Sequence, residues 1–139
     1  MTKYWVLKTE PSTYSFDDLV RAGRAVWDGV TNPVALKHIR TMARGDDVLI
    51  YHTGDEKTIV GFARVVSAPY PDPNDTTGKL TVVDLAPGER LPRPVPLSAI
   101  KAEPKLKDLA LVRMPRLSVV PVDGAQWRVL LGMGGKGSE

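Results

Sequence analysis

The sequence predicts a mixed α+β domain of about five to six strands, with a sheet that curls toward a small barrel and short helices flanking it. Three observations carry that prediction. Apolar runs rich in β-branched and aromatic residues recur at 4–7, 48–52, 58–67, 80–85 and 117–122. The helix-start signals between them open only short amphipathic segments. A chain of 139 residues can bury one core and is too short for two comfortable ones.

Tyr4-Trp5-Val6-Leu7 reads as the opening strand, ended by Glu10-Pro11. Ser15 followed by Asp17 and Asp18 is a helix N-cap with acids in the first turn, Leu19 and Val20 facing inward and Gly23 closing the helix. Asn32-Pro33 repeats the logic, cap then proline, and Ala35, Leu36, Ile39 and Met42 follow at helical spacing. Lys37, His38, Arg40 and Arg44 fall mostly on other faces, His38 among them as a surface residue. After Gly45-Asp46-Asp47, the 48–52 and 58–67 runs predict a hairpin, with Gly61 marking a bulge or a close backbone approach.

Pro69-Tyr70-Pro71-Asp72-Pro73 breaks the chain into a loop, in which Tyr70 either packs beneath it or lines a groove. The four prolines between Pro87 and Pro96 predict an irregular crossing. Short helical turns are expected at 97–100 and 106–111. Pro121 confines the strand at 117–122 to an edge or terminal place. A last helix spans 125–131 with Trp127, Leu130 and Leu131 as anchors, and the glycine-rich end frays. One domain over 1–135 with a flexible tail at 136–139 is the expected organisation.

A hydrophobic fraction of 42% argues against wholesale disorder. No apolar run reaches the ~20 residues of a membrane span, and the lysine after Trp5-Val6-Leu7 interrupts any signal-peptide core. Zero cysteines exclude disulfides, thiolate nucleophiles and zinc-finger chemistry. Two histidines without acidic clusters predict neither metal nor cofactor. The expected setting is the cytosol or nucleoid of a bacterium. A net charge of +3 fits an anionic partner such as nucleic acid and fits an ordinary, slightly basic surface as well.

Trp27-Asp28-Gly29-Val30-Thr31-Asn32 is the most informative segment. Its indole is either core filler or a flat wall on which a ring stacks, with Asp28 and Asn32 able to read the ring's edge. Lys8, Thr9 and Glu10 sit where the first strand ends, suited to a phosphate and the polar edge of a base, or simply solvated. His52, near a turn, donates to a ligand or satisfies a carbonyl. Arg113 and Arg116 precede the late strand as a backbone clamp or as solvated cations. Neither a nucleophile elbow nor a phosphate-cradling glycine loop is present.

In order along the chain, Tyr4-Trp5-Val6-Leu7-Lys8-Thr9-Glu10-Pro11, Tyr14-Ser15, Trp27-Asp28-Gly29-Val30, Gly45-Asp46, Tyr51-His52-Thr53, Ala68-Pro69-Tyr70-Pro71-Asp72-Pro73 and Arg116-Leu117-Ser118-Val119 resemble the EVE domain family from residue 4 to about 135. The resemblance implies a PUA-like fold, similar in architecture to YTH domains, and recognition of modified bases in DNA or RNA, modified cytosines foremost. It implies Trp27 as a cage wall, Lys8, Thr9 and Glu10 lining the pocket, Asp28, Asn32 and His52 around its edge, and Arg116 and Ser118 near the mouth. Thr31 stands where the family commonly has arginine, and Leu80 where it often has an aromatic.

Three functions follow for comparison. A non-catalytic reader of a modified base, without cofactor, metal or membrane, predicts that Trp27→Ala abolishes binding and leaves the fold intact. A small PUA-like enzyme, an amidohydrolase on a modified nucleoside or a ribonuclease, would use Lys8, Thr9 and Glu10 and would turn substrate over. An interaction module with every tryptophan in the core would have a closed pocket and no ligand preference.

Overall fold

The computed structural model describes residues 2–136. In chain order they form β1 (Tyr4–Thr9), α1 (Phe16–Ala22), β2 (Ala25–Trp27), α2 (Pro33–Arg40), β3 (Asp47–His52), β4 (Thr58–Val65), β5 (Tyr70–Pro71), β6 (Thr81–Pro96), α3 (Leu97–Ala102), a 3-10 turn (Pro104–Leu106), α4 (Ala110–Arg113), β7 (Val119–Val122) and α5 (Gly124–Met133). The sheet runs β2-β6-β4-β3-β1-β7, with the two-residue β5 added to β6. β1 and β3 pair in parallel, Tyr4 opposite Asp47 and Thr9 opposite His52. The other pairings are antiparallel.

Both faces of the central strands are covered, which is why β1 and β3 read as unbroken apolar runs. Trp5, Leu7, Val48 and Ile50 enter one core cluster with Phe16, Leu19, Ile39 and Trp27. The alternate residues Val6, Leu49 and Tyr51 enter a second cluster with Ile100, Leu106, Trp127 and Leu130. Thus α1 and α2 pack on one face, and α3, α4 and α5 on the other. α2 contacts both β7, one edge of the sheet, and β6, next to the other edge. A helix therefore spans the gap of the curled sheet where a closed barrel would have a strand pair.

Local signals explain the helix starts. The Ser15 hydroxyl accepts from the Asp18 N–H while Asp18 accepts from the Ser15 N–H, a reciprocal capping box. Asn32 accepts from the Val34 and Ala35 N–H groups and Pro33 follows at N1. Gly61 satisfies both expectations set for it. The β4 registers shift around it, and a Cβ there would lie 2.5 Å from a Phe16 ring carbon.

Several expectations are corrected. The 87–96 stretch is not an irregular crossing but the last ten residues of the sixteen-residue β6. Beyond Leu85 that strand is paired in the sheet only with β4, through bulged registers, so prolines without N–H donors are tolerated. Val20 does not face inward; it is 47% exposed, because the seven-residue α1 buries only Phe16 and Leu19. His38 is half-buried against Trp5, ring centroids 5.8 Å apart, and that burial lowers its pKa.

The last helix runs on through Gly132 to Met133, and buried Gly134 packs against Leu91. Lys136, assigned to the tail, is held by its N–H to the Leu131 carbonyl and by its ammonium to Glu89; 137–139 lie outside the described residues. The sequence carries no separate strand signal for the three-residue β2 or the two-residue β5. Among the described residues, no helix is long and apolar enough to cross a membrane, and no cluster of three or more acids and histidines could hold a metal ion.

One buried carboxylate ties the start of β1 to the end of the α2 connection. Asp46, 1% exposed, accepts the Lys3 N–H at 3.1 Å, the Trp5 indole N–H at 3.0 Å and the Ala43 N–H at 3.0 Å. Asp46→Asn offers one oxygen to three donors and turns an NH2 toward an N–H. The expected cost is about 1–3 kcal/mol, read as a lowered urea midpoint with unchanged m value.

Candidate functional site

The ends of β1 and β2 and the segment before β7 converge at the gap that α2 spans, beside its N-terminus. A cleft of about 640 Å3 opens there, lined among others by Thr9, Tyr14, Trp27, Asp28, Asn32 and Ser118. Trp27 ends β2, whose pairing of Trp27 with Val83 fixes the indole against the core. The ring is both core and wall: it is 8% exposed, belongs to the first core cluster and still lines the cleft. Tyr14 meets it edge-on, centroids 6.2 Å apart at 78°, making a two-ring corner. Burial and the Asp18 carboxylate raise the Tyr14 phenol pKa.

The polar groups divide by whether the fold already uses them. Thr9 Oγ1 donates to the Tyr14 carbonyl at 2.6 Å, so its hydrogen is committed. Asn32 Oδ1 caps α2, which leaves its side-chain NH2 without a partner among the described residues. The exposed Asp28 carboxylate likewise has none among them. Gly29, next in the turn, has φ +80°, a conformation that favours glycine, so Asp28 is presented at the rim by a backbone few residues tolerate.

Lys8 lies at the junction of this cleft with a second one of about 540 Å3, which also contains Glu10 and Arg116. Its ammonium donates to the Pro115 carbonyl at 2.8 Å and stands 5.7 Å over the Tyr51 ring, and burial lowers its pKa. The Glu10 carboxylate packs over Gly54 and does not line the first cleft. Arg116 is exposed and touches the neighbouring groove of Asn32, Val34 and Met114. Six of the nine residues singled out from sequence therefore meet in one cleft: Lys8, Thr9, Trp27, Asp28, Asn32 and Ser118.

His52 lines neither cleft. It is 6% exposed, its Nε2 accepts the Phe16 N–H at 3.0 Å, and its Nδ1 lies 2.8 Å from Glu56 Oε1. An accepting Nε2 puts the ring hydrogen on Nδ1, where it donates to Glu56. The histidine thus anchors the first turn of α1. Sequence reasoning missed Thr13 and Val30 as lining residues, and Tyr14 entered it only as part of a motif. The signal for Tyr14 was its place five residues after Thr9, close enough for a tight turn to return its carbonyl to that hydroxyl.

The pairing of Tyr70 with Asp84 supports β2 from behind. The phenol donates to Asp84 at 2.6 Å, and Arg24, just before β2, bonds the same carboxylate at 2.8 Å. These bonds hold the Asp84 pKa below the ordinary carboxylate range, the phenol first, and the hydrogen bond to Asp84 raises the Tyr70 pKa to about 12. A carboxyl depressed in the folded state contributes stability above its unfolded pKa and loses it as pH falls through the folded one. Wild type should therefore lose more stability than Tyr70→Phe on acidification below about pH 4, followed as denaturant midpoints across that range. His52→Leu, which orphans the buried Phe16 N–H, should cost about 1–3 kcal/mol, read as a lowered denaturant midpoint.

The EVE domain family profile matches residues 3–133. Thymocyte nuclear protein 1 of Mus musculus is 26% identical over 96% of this chain and 74% of its own length. The NMR structure of Rpa0253 from Rhodopseudomonas palustris superposes with a TM-score of 0.94, at 42% identity over 99% of this chain and 97% of that one. Human THYN1, solved in complex with DNA containing 5-methylcytosine, gives a TM-score of 0.88 at 25% identity, covering 99% and 100% of the two chains. With its α+β, PUA-like architecture and a match over nearly its whole length, this chain belongs to the EVE domain family.

Proposed function

We propose that this protein is a non-catalytic reader that takes a modified base of DNA or RNA, a modified cytosine foremost, into the cleft walled by Trp27 and Tyr14. The observation that carries the reading is the pairing of an aromatic corner with two uncommitted polar groups at its rim. A nucleobase is a flat ring with a hydrogen-bonding edge. The Asp28 carboxylate suits the exocyclic amine of cytosine as an acceptor, and the Asn32 NH2 suits a ring carbonyl as a donor. The human relative's complex with 5-methylcytosine DNA supports the same ligand class.

Catalysis by Lys8, Thr9 and Glu10 has less support. The Thr9 hydroxyl hydrogen goes to a backbone carbonyl and not to a base, and Glu10 lies over Gly54. The lowered Lys8 pKa is accounted for by burial beside Tyr51.

Trp27→Ala does not separate wall from core, because truncating so buried a tryptophan costs about 3–5 kcal/mol of stability. Asp28→Ala is the cleaner variant, since the side chain is exposed and has no partner among the described residues. Tryptophan fluorescence should be titrated with oligonucleotides carrying cytosine, 5-methylcytosine or a modified adenine, single- and double-stranded. The expected result is selective quenching by one modified base, weakened by about 1–3 kcal/mol in Asp28→Ala with an unchanged melting temperature. An equal, salt-sensitive response to every oligonucleotide sinks the reading, as does conversion of the modified nucleoside in excess of protein.

A further inference from the structure

We propose that the second cleft seats the phosphodiester next to the base held at Trp27, with Lys57 and Lys101 as its backbone contacts. This inference rests on the base-reading proposal for the first cleft. Four cations line the second cleft: Lys8 at the end of β1, Lys57 in the β3–β4 turn, Lys101 on α3 and Arg116 before β7. Glu10 is the one carboxylate in its lining. None of the four cations is in an ion pair among the described residues, so the charge they bring into the cleft lining is opposed there by Glu10 alone. An excess of positive charge is thus gathered around one concave surface from four separate parts of the chain.

The two clefts share Lys8, Thr9 and Ser118, so a strand whose base enters the first passes directly over the second. Two details fit an anion there. Lys8 is half-buried and its pKa is lowered by loss of water, a condition that a neighbouring phosphate relieves by favouring the charged form. Lys57 has φ +44°, the only positive value at a non-glycine among the described residues, and its carbonyl accepts the Leu97 N–H at 2.8 Å. A lysine held where glycine or asparagine sits with less strain aims its side chain from a fixed turn.

The test compares wild type with Lys57→Asn/Lys101→Gln, substitutions that remove charge at exposed positions, asparagine being tolerant of the Lys57 backbone. Binding to single-stranded oligonucleotides with and without 5-methylcytosine is measured over a salt series. The expected result is a roughly tenfold or greater loss of affinity near 0.1 M salt, equal for both oligonucleotides. The slope of log affinity against log salt should shrink by about 1.4, some 0.7 for each lost phosphate contact. An unchanged slope overturns the inference, and so does a loss confined to the modified oligonucleotide. If wild type does not distinguish the two oligonucleotides but the slope still shrinks, the base reading fails and the cleft remains a backbone seat. Absence of salt-sensitive binding by wild type overturns both.

Discussion

The carboxylate of Asp46 is the constraint on which the rest of the molecule hangs. It sits out of water and is satisfied by three N–H donors, two from the backbone at Lys3 and Ala43 and one from the Trp5 indole. A buried charge without such donors would be expelled or protonated, so the three groups hold one arrangement or none. That arrangement starts β1 beside β3, and the parallel register then runs without a shift to Thr9 opposite His52. The far ends of the same two strands carry the Thr9 hydroxyl that fixes the Tyr14 carbonyl and the His52 ring that fixes the first N–H of α1. The cleft is positioned by a parallel pair whose alignment is set at its opposite end.

A curled sheet with unpaired edges must protect them. Here α2 covers the gap between β7 and the β6–β2 end of the sheet, and the loop that leads from Trp27 into the α2 cap stays open to solvent. This explains why the aromatic wall is also core. β2 is only three residues long, and Trp27 is the one residue of the three that is buried. Its indole packs inward to hold β2 on β6 while still lining the cleft. Such a ring is rigid and costs no conformational entropy when a planar ligand arrives.

Much of this was legible in the sequence because the signals were local. Ser15, Asn32-Pro33 and the apolar spacing of Ala35, Leu36 and Ile39 contain their helices within a few residues. Pro121 limited its strand to an edge, and β7 is one. The misreadings arose where a partner distant in sequence decides. Four prolines read as a break, yet β6 continues because only one of its sides needs donors there. His52 read as a candidate ligand contact, and the group that occupies its Nε2 is 36 residues away. Lys57 and Lys101 carry no signal in the sequence, since charge in a turn and on a short helix is ordinary until the fold sets both in one cleft with Lys8 and Arg116.

On the proposed reading, the two clefts divide the energetics of base recognition in a way neither achieves alone. Extruding a base from a duplex costs a few kcal/mol, and stacking on an aromatic returns about 1–3 kcal/mol. The Trp27–Tyr14 corner by itself therefore roughly balances extrusion and leaves little net affinity. A methyl group adds about 1 kcal/mol by apolar burial, enough for preference but not for tight binding. In the proposed reader, affinity would then come from contacts indifferent to the base, the cations of the second cleft, and selectivity from Asp28, Asn32 and the ring wall. Single strands escape the extrusion cost, so discrimination by this cleft should survive in them while overall binding becomes stronger relative to a duplex of the same sequence.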